Sequence, residues 1–228
     1  MKKALAFVFS ALLTLIAFSA NAEITFPVER PDLAAGDSWT YQSKDLTKDT
    51  AGQQTITIKG RADNGYSIGV DQALNFDNGA PLEELSLDLG WRGKINDSPS
   101  EIKWLDFPLT AGKTWKSQSM WKNAMGASGP LDVKYTVVDI EDLTVPAGSL
   151  KAVRVHGTGW WNVSSFSVQG GVGRPTGNGQ TNVDVWYAPE VKAIAKIEIT
   201  KNVPSGVSHV VYELTASKLN KEASAAQK

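Results

Sequence analysis

Short β-rich runs separated by turn signals occupy nearly all of the chain after residue 22. In the clearest of them, residues 191–201, Val, Ala and Ile alternate with Lys, Glu and Thr, which is the period of two expected for a strand with one wet face. No amphipathic stretch of ten or more residues with helical spacing lies between the runs. Regularly spaced strands without crossover helices predict an all-β domain with a mostly antiparallel sheet.

The predicted strands and turns cover the chain evenly. The strands are residues 39–43, 55–59, 66–70, 85–91, 114–121, 133–140, 150–163, 182–188, 191–201 and 207–214. The turns are residues 63–65, 77–79, 146–148, 178–179 and 204–206, which are rich in Gly, Pro, Asn and Asp. Residues 81–89 fit a short helix as well as a strand. We expect the sheet to curl into a half-barrel or barrel, with a β-sandwich as the alternative.

The first 22 residues form a separate segment. Two lysines precede an apolar run at 4–18, and the small residues Ala20 and Ala22 stand three and one positions before the bond to Glu23. This is the organisation of a secretory signal peptide, so we expect cleavage after Ala22 and export to a bacterial periplasm. The chain contains no cysteine. The sequence therefore predicts an exported product that is not a lipoprotein and has no disulfides.

The mature chain is expected to be one domain, residues 23–217, followed by a frayed tail at 218–228. Lys and Arg are dispersed among the acidic residues, and the formal net charge of the whole chain is −1. We therefore expect no nucleic-acid partner, because phosphate binding depends on clustered basic residues. No second apolar run approaches the length of a membrane-spanning helix, so we expect no membrane span after cleavage.

Two windows, residues 33–43 and 109–119, are similar to each other at six of eleven positions. Each has a glycine, Gly36 or Gly112, that suits a turn opening a strand. Three residues later each has a tryptophan, Trp39 or Trp115, that we expect to anchor the strand in the core. The windows indicate a duplicated half-sheet, with chance recurrence of a common turn as the alternative.

Four motifs carry a family resemblance. They are GxxWxY at 36–41, FPLxxGxxW at 107–115, VPAGSLKA at 145–152 and WYAPxV at 186–191. In this combination the chain resembles a group of bacterial exported proteins of unknown function. The resemblance implies a β-rich fold, in some members a curved sheet like that of the lipoprotein-localisation carriers, and it implies no catalytic residues. Members often have glycine after the valine of the last motif, where this chain has Lys192.

The residues give little support for catalysis. The chain has no Gly-x-Ser-x-Gly elbow and only two histidines, and its glycine-rich segment 170–179 lacks the spacing of a phosphate-binding loop and suits a long hairpin loop. We predict no catalytic residue, no metal site and no cofactor. Arg154 and His156 share a strand face and are candidate binding residues. They would form a polar site with His209 and Glu213, and support a hydrolase, only if their strands were neighbours.

The positions of the tryptophans are the one feature of the sequence that indicates a binding function. Trp160 and Trp161 are consecutive on a predicted strand, so their side chains point to opposite faces of the sheet. The outward one lies beside Gly157 and Gly159, whose missing side chains leave room for it to stack on a sugar or to fill a pocket of a partner. Trp121, which precedes a loop, is a further candidate. The alternative is that all eight tryptophans are core or turn anchors.

Two non-enzymatic functions are compatible with these features. In the first, the protein binds an apolar or amphipathic ligand, such as a lipid, in the concavity of its sheet. In the second, it is an envelope assembly or interaction protein that binds an envelope protein through sheet edges and loops, without a small ligand. An apolar pocket of ligand size favours the first, and an interior filled by side chains favours the second. In both cases we expect binding through apolar and aromatic surface rather than charge.

Overall fold

The computed structural model describes residues 23–71, 82–95, 97–122, 127–163, 177–204 and 206–220. The predicted signal peptide, residues 1–22, lies outside them. The strands within them are β1 (Ser38–Asp45), β2 (Thr50–Ala62), β3 (Gly65–Asp71), β4 (Glu84–Ser86), β5 (Trp91–Ile95), β6 (Ser98–Ile102), β7 (Thr114–Lys122), β8 (Ser128–Val145), β9 (Gly148–Asn162), β10 (Asn178–Ala188), β11 (Ala193–Val203) and β12 (Gly206–Lys218). A short 3-10 helix, Pro189–Val191, joins β10 to β11.

The strands form one antiparallel sheet that curls into a nearly closed barrel. Its order is β6-β5-β4-β3-β2-β1-β12-β11-β10-β9-β8-β7. Strands adjacent in sequence therefore pair with each other except β6 and β7, which are the two edges of the sheet, and the last strand pairs with the first. The prediction of an all-β curled sheet is confirmed, and the β-sandwich is not adopted.

The seam between β6 and β7 is bridged by serine side chains. The Met120 backbone N–H donates to Ser100 Oγ at 3.0 Å, and the same hydroxyl donates to the Met120 carbonyl at 3.1 Å. Farther along the seam, the Lys103 N–H donates to Ser117 Oγ at 3.0 Å. Two edge strands that would otherwise expose backbone groups are thereby held together.

Most of the predicted strands are observed, but the prediction of one strand over residues 85–91 was wrong. Leu85 belongs to β4, the chain then turns through Leu89 at a φ of 60°, and β5 begins only at Trp91. The short helix considered for 81–89 does not form among the described residues 82–89. β6 was not predicted because its sequence, SPSEI, contains a proline and only one β-favouring residue, Ile102, although an edge strand tolerates proline.

Of two further predicted turns, one is not described by the structure and the other was wrong. Residues 77–79 lie outside the described residues. Residues 178–179, predicted to be a turn, instead open β10, where Gly179 allows a close approach: a Cβ there would lie 2.0 Å from the Asn202 carbonyl oxygen. Of the segment 170–179, residues 170–176 also lie outside the described part of the chain.

The two similar windows adopt the same turn. Gly36 and Gly112 have φ values of 92° and 74°, which favour glycine. The Gly36 N–H donates to the Ile58 carbonyl at 2.9 Å, and the Gly112 N–H donates to the Val137 carbonyl at 3.0 Å. The sheet register shifts directly after Ile58 and directly after Val137. These matching hydrogen bonds and bulges support a duplicated half-sheet of six strands.

One end of the barrel, which we call the base, is covered by the segment that precedes β1. Val28 and Leu109 exchange backbone hydrogen bonds of 2.9 and 2.8 Å there, and both side chains are buried in the single hydrophobic core cluster. The first three residues of the predicted tail are ordered. Lys218 ends β12, Leu219 packs on the core and the Asn220 N–H donates to Asp37 at 2.7 Å, so the predicted fraying is wrong for residues 218–220. Residues 221–228 lie outside the described part of the chain.

Candidate binding surface

The paired tryptophans on β9 have opposite environments. Trp160 points outward and is 58% exposed, whereas Trp161 is buried with 7% exposure. Trp161 packs edge-to-face on Trp121 with ring centroids 5.5 Å apart, and Trp121 is itself only 6% exposed. The indole N–H of Trp121 donates to the Asn162 carbonyl at 2.9 Å, and that of Trp161 donates to the Asn202 carbonyl at 3.1 Å. Both are core anchors, so Trp160 is the binding candidate among the three.

The glycines beside Trp160 have a different role from the one predicted. A Cβ at Gly157 would lie 2.5 Å from Tyr135 Cε1, and a Cβ at Gly159 would lie 1.9 Å from the Asp132 carbonyl oxygen. The absent side chains therefore allow β8 and its tyrosine to approach β9 closely. They do not make room beside the outward tryptophan.

Arg154 and His156 lie together on the outer face and share one acid. Arg154 Nε lies 3.0 Å from Asp184 Oδ1, and His156 Nδ1 lies 3.1 Å from the same oxygen. Asp184 is the cross-strand partner of His156 on β10. The sequence pattern placed Arg154 and His156 on one face, but it did not identify Asp184, because that assignment requires the register of β10 against β9.

His209 and Glu213 do not join this cluster, because β10 and β11 separate β9 from β12. His209 Nε2 lies 2.8 Å from Glu198, and Lys196 Nζ contacts the same carboxylate at 3.1 Å. Burial raises the pKa of Glu198, but the hydrogen bonds and charges of Lys196 and His209 outweigh it and lower the pKa below its ordinary value. Glu213 accepts a hydrogen bond from Gln42 at 3.1 Å. The predicted four-residue site therefore does not form.

These charged side chains form a surface network and not a cleft. Arg154 and Lys196 both lie over the ring of Trp186, at 5.7 and 4.9 Å from its centroid. The indole N–H of Trp186 donates to Glu141 at 2.5 Å. Trp186 is thereby covered by its neighbours although it lies on the outer face, which distinguishes it from Trp160. Within the described part of the chain, no group of three or more His, Asp or Glu side chains could hold a metal ion.

A small pocket lies inside the barrel near its base. Its volume is about 30 Å³, and its lining includes Trp39, Tyr41, Leu85 and Trp91. The Tyr41 hydroxyl donates to the Ile194 carbonyl at 3.0 Å, and burial raises the pKa of this phenol, so it remains protonated. A cavity of this size holds two or three water molecules at most, because each needs roughly 10–15 Å³.

No helix in the part of the chain that the structure describes has the length and apolarity needed to cross a membrane. The chain matches no family model and no curated protein.

Solved structures are similar to this chain over most of its length. A predicted exported protein of Bacteroides fragilis with a YmcC-like fold has a TM-score of 0.50 and 11% identity, covering 84% of this chain and 99% of its own. A predicted lipoprotein of Parabacteroides distasonis has a TM-score of 0.47 and 11% identity, covering 86% and 100%. The hypothetical lipoprotein YmcC of Escherichia coli has a TM-score of 0.38 and 10% identity, covering 79% and 84%. The similarity to the Bacteroides fragilis protein shows a YmcC-like fold, and at this identity it shows the fold alone.

Proposed function

We propose that this chain is an exported, non-enzymatic envelope protein that binds a partner on the outer face of its sheet and carries no lipid inside. The observation that carries the proposal is the packing of the interior. Leu105, Val153, Val155, Val185 and Leu214 are fully buried, and they belong to one hydrophobic cluster that includes residues of both half-sheets. Side chains therefore occupy the space that a carrier protein would keep for its ligand.

The size of the internal pocket supports the same conclusion. Ligand pockets typically enclose about 300–1,000 Å³, against about 30 Å³ for the pocket lined by Trp39 and Trp91. An acyl chain would have to displace several core side chains to enter. Each displacement would forfeit burial worth about 1.5–3 kcal/mol per large apolar side chain.

Envelope localisation is supported by two independent features. Residues 1–22 have the organisation of a secretory signal, with Ala20 and Ala22 placed for cleavage before Glu23. The fold is shared with a predicted exported protein. Because the sequence contains no cysteine, we propose that the mature product has no lipid attached at an N-terminal thiol.

A second candidate function is binding of an apolar ligand at the internal pocket. Its support is the aromatic lining, where Trp39, Tyr41, Trp91 and Tyr212 surround the space. This function would require the pocket to expand on binding.

Titration of the mature protein with a lysophospholipid, below its micelle concentration, separates the two candidates. We follow tryptophan fluorescence in the parent and in Trp160→Ala, at low and high salt. We expect any change in emission to disappear in Trp160→Ala, because six of the other tryptophans are buried and the seventh, the half-buried Trp91, lines the internal pocket, which the proposal leaves empty of lipid. A saturable change that persists in Trp160→Ala would contradict the proposal and favour ligand binding inside the barrel.

A further inference from the structure

Trp160 lies in a row of four side chains that crosses four strands. Gln118 on β7 is paired directly with Asp132 on β8, Asp132 is paired with Trp160 on β9, and Trp160 is paired with Gln180 on β10. All four residues are exposed. Because neighbouring strands lie about 4.8 Å apart, the row extends over roughly 14 Å. We call it the Trp160 row.

We infer that the Trp160 row binds a carbohydrate chain, with one sugar ring stacked on the exposed face of Trp160. The inference rests on the proposed function, since it places the partner on the outer face of the sheet. A sugar ring has an apolar C–H face that an indole can cover, and hydroxyl groups around its edge.

The neighbours of Trp160 suit those hydroxyl groups. A carboxylate accepts hydrogen bonds, and a primary amide both donates and accepts them, as does a sugar hydroxyl. Asp132 and Gln180 lie one strand away on either side of the indole. Gln118 Nε2 donates to Asp132 Oδ1 at 2.9 Å, which orients the carboxylate and leaves its second oxygen for a ligand. A sugar chain lying along the row would contact a hydrogen-bonding side chain on β7, β8 and β10 and the indole ring on β9.

The surroundings favour a carbohydrate over a protein partner. Tryptophan hot spots in protein interfaces lie in well-packed patches from which water is excluded. Here the two cross-strand neighbours of Trp160 are polar, and Thr158, two residues before it on the same face, is also exposed. Other apolar residues that stand exposed on the described surface, such as Val138 and Val207, lie on other parts of the sheet.

Electrostatics distinguish a neutral carbohydrate from an anionic partner. The row contains one charge, that of Asp132, whereas Lys116 and Lys134 are directly paired in the row beneath it. An anionic partner would bind those lysines, and its affinity would fall steeply with salt. Stacking on Trp160 and hydrogen bonding to neutral hydroxyls are screened very little.

NMR titration of the mature protein tests the inference with neutral trisaccharides as probes: β-1,4-linked N-acetylglucosamine, β-1,4-linked glucose and β-1,4-linked galactose. We expect at least one of them to shift the Trp160 indole N–H signal and the backbone amide signals of Asp132 and Gln180 saturably, to a similar extent at low and high salt. The backbone amide signals report binding in the variants that lack the indole. Trp160→Ala should weaken binding at least about tenfold, and Gln180→Ala several-fold. Trp160→Tyr should retain part of the affinity because it keeps a stacking surface. Val138→Ala, which removes exposed apolar surface elsewhere on β8, is the matched control and should bind like the parent.

The inference is overturned if none of the three probes shifts the signal, or if Trp160→Ala binds as tightly as the parent. Loss of binding at high salt, or on Lys134→Ala alone, would also overturn it and indicate an anionic partner. If Trp160→Ala loses a protein partner while the saccharides do not bind, the carbohydrate inference fails and the proposed function stands. If lysophospholipid binds inside the barrel of the Trp160→Ala variant, the proposed function itself is refuted.

Discussion

Trp39→Ala is expected to lower the free energy of unfolding by about 3–5 kcal/mol. The indole is 2% exposed, and its N–H donates to the Val191 carbonyl at 2.7 Å, which ties β1 to the connection between β10 and β11. The substitution removes both the buried ring and this hydrogen bond. Urea denaturation followed by circular dichroism measures the loss, which is large against a typical total of about 5–15 kcal/mol.

Two further variants separate burial from hydrogen bonding at this position. Trp39→Phe keeps an aromatic ring but leaves the Val191 carbonyl without its donor, so we expect an intermediate loss of about 1–3 kcal/mol. Trp160→Ala removes an exposed ring and should change stability by less than about 1 kcal/mol. Equal unfolding midpoints for Trp39→Ala and Trp160→Ala would show that Trp39 is not an anchor.

Gly159→Ala is expected to destabilise the sheet by about 1–3 kcal/mol or more, because it forces two strands apart. A Cβ at this position would lie 1.9 Å from the Asp132 carbonyl oxygen and 2.7 Å from the Val133 Cα atom. Both are backbone atoms, so no side-chain rotation relieves the clash. The strain must be relieved by moving β8 away from β9, which weakens the pairing of the two longest strands.

Gly60→Ala is the matched control for this variant. Gly60 also lies within a strand, β2, but the nearest atom to an added Cβ is Ser67 Oγ at 3.9 Å, an ordinary contact. We expect its unfolding midpoint to stay near that of the parent, or to rise slightly because alanine restricts the unfolded chain. If Gly159→Ala and Gly60→Ala unfold alike, the close approach of β8 to β9 is incorrect.

Local alternation in the sequence was sufficient to predict most strands, but it could not predict how the sheet closes. The pairing of β1 with β12 joins residues more than 160 positions apart, and no local pattern encodes such a contact. β6 was missed because it contains Pro99, which lacks a backbone donor. This loss matters little on a strand whose contact across the seam is made by the side chain of its own Ser100 with the Met120 backbone.

The candidate site, like the fold, could be predicted from the sequence only in part. Alternation alone placed Trp160 and Trp161 on opposite faces of β9. The polar neighbours of Trp160 on β8 and β10 became visible only with the strand register, because a shift of one residue would bring different side chains beside the indole. Asp184, the acid that contacts Arg154 and His156, could not be identified for the same reason, because its position also depends on the strand register.

Native mass spectrometry of the protein purified from the periplasm decides between a packed barrel and a lipid-filled one. We expect the mass of a polypeptide that begins at Glu23, with no additional lipid mass at any mild desolvation setting. Denaturing spectra and organic extraction of the same sample should likewise contain no stoichiometric lipid. A stoichiometric adduct of lipid size that is released on denaturation would contradict a barrel whose interior is filled by its own side chains.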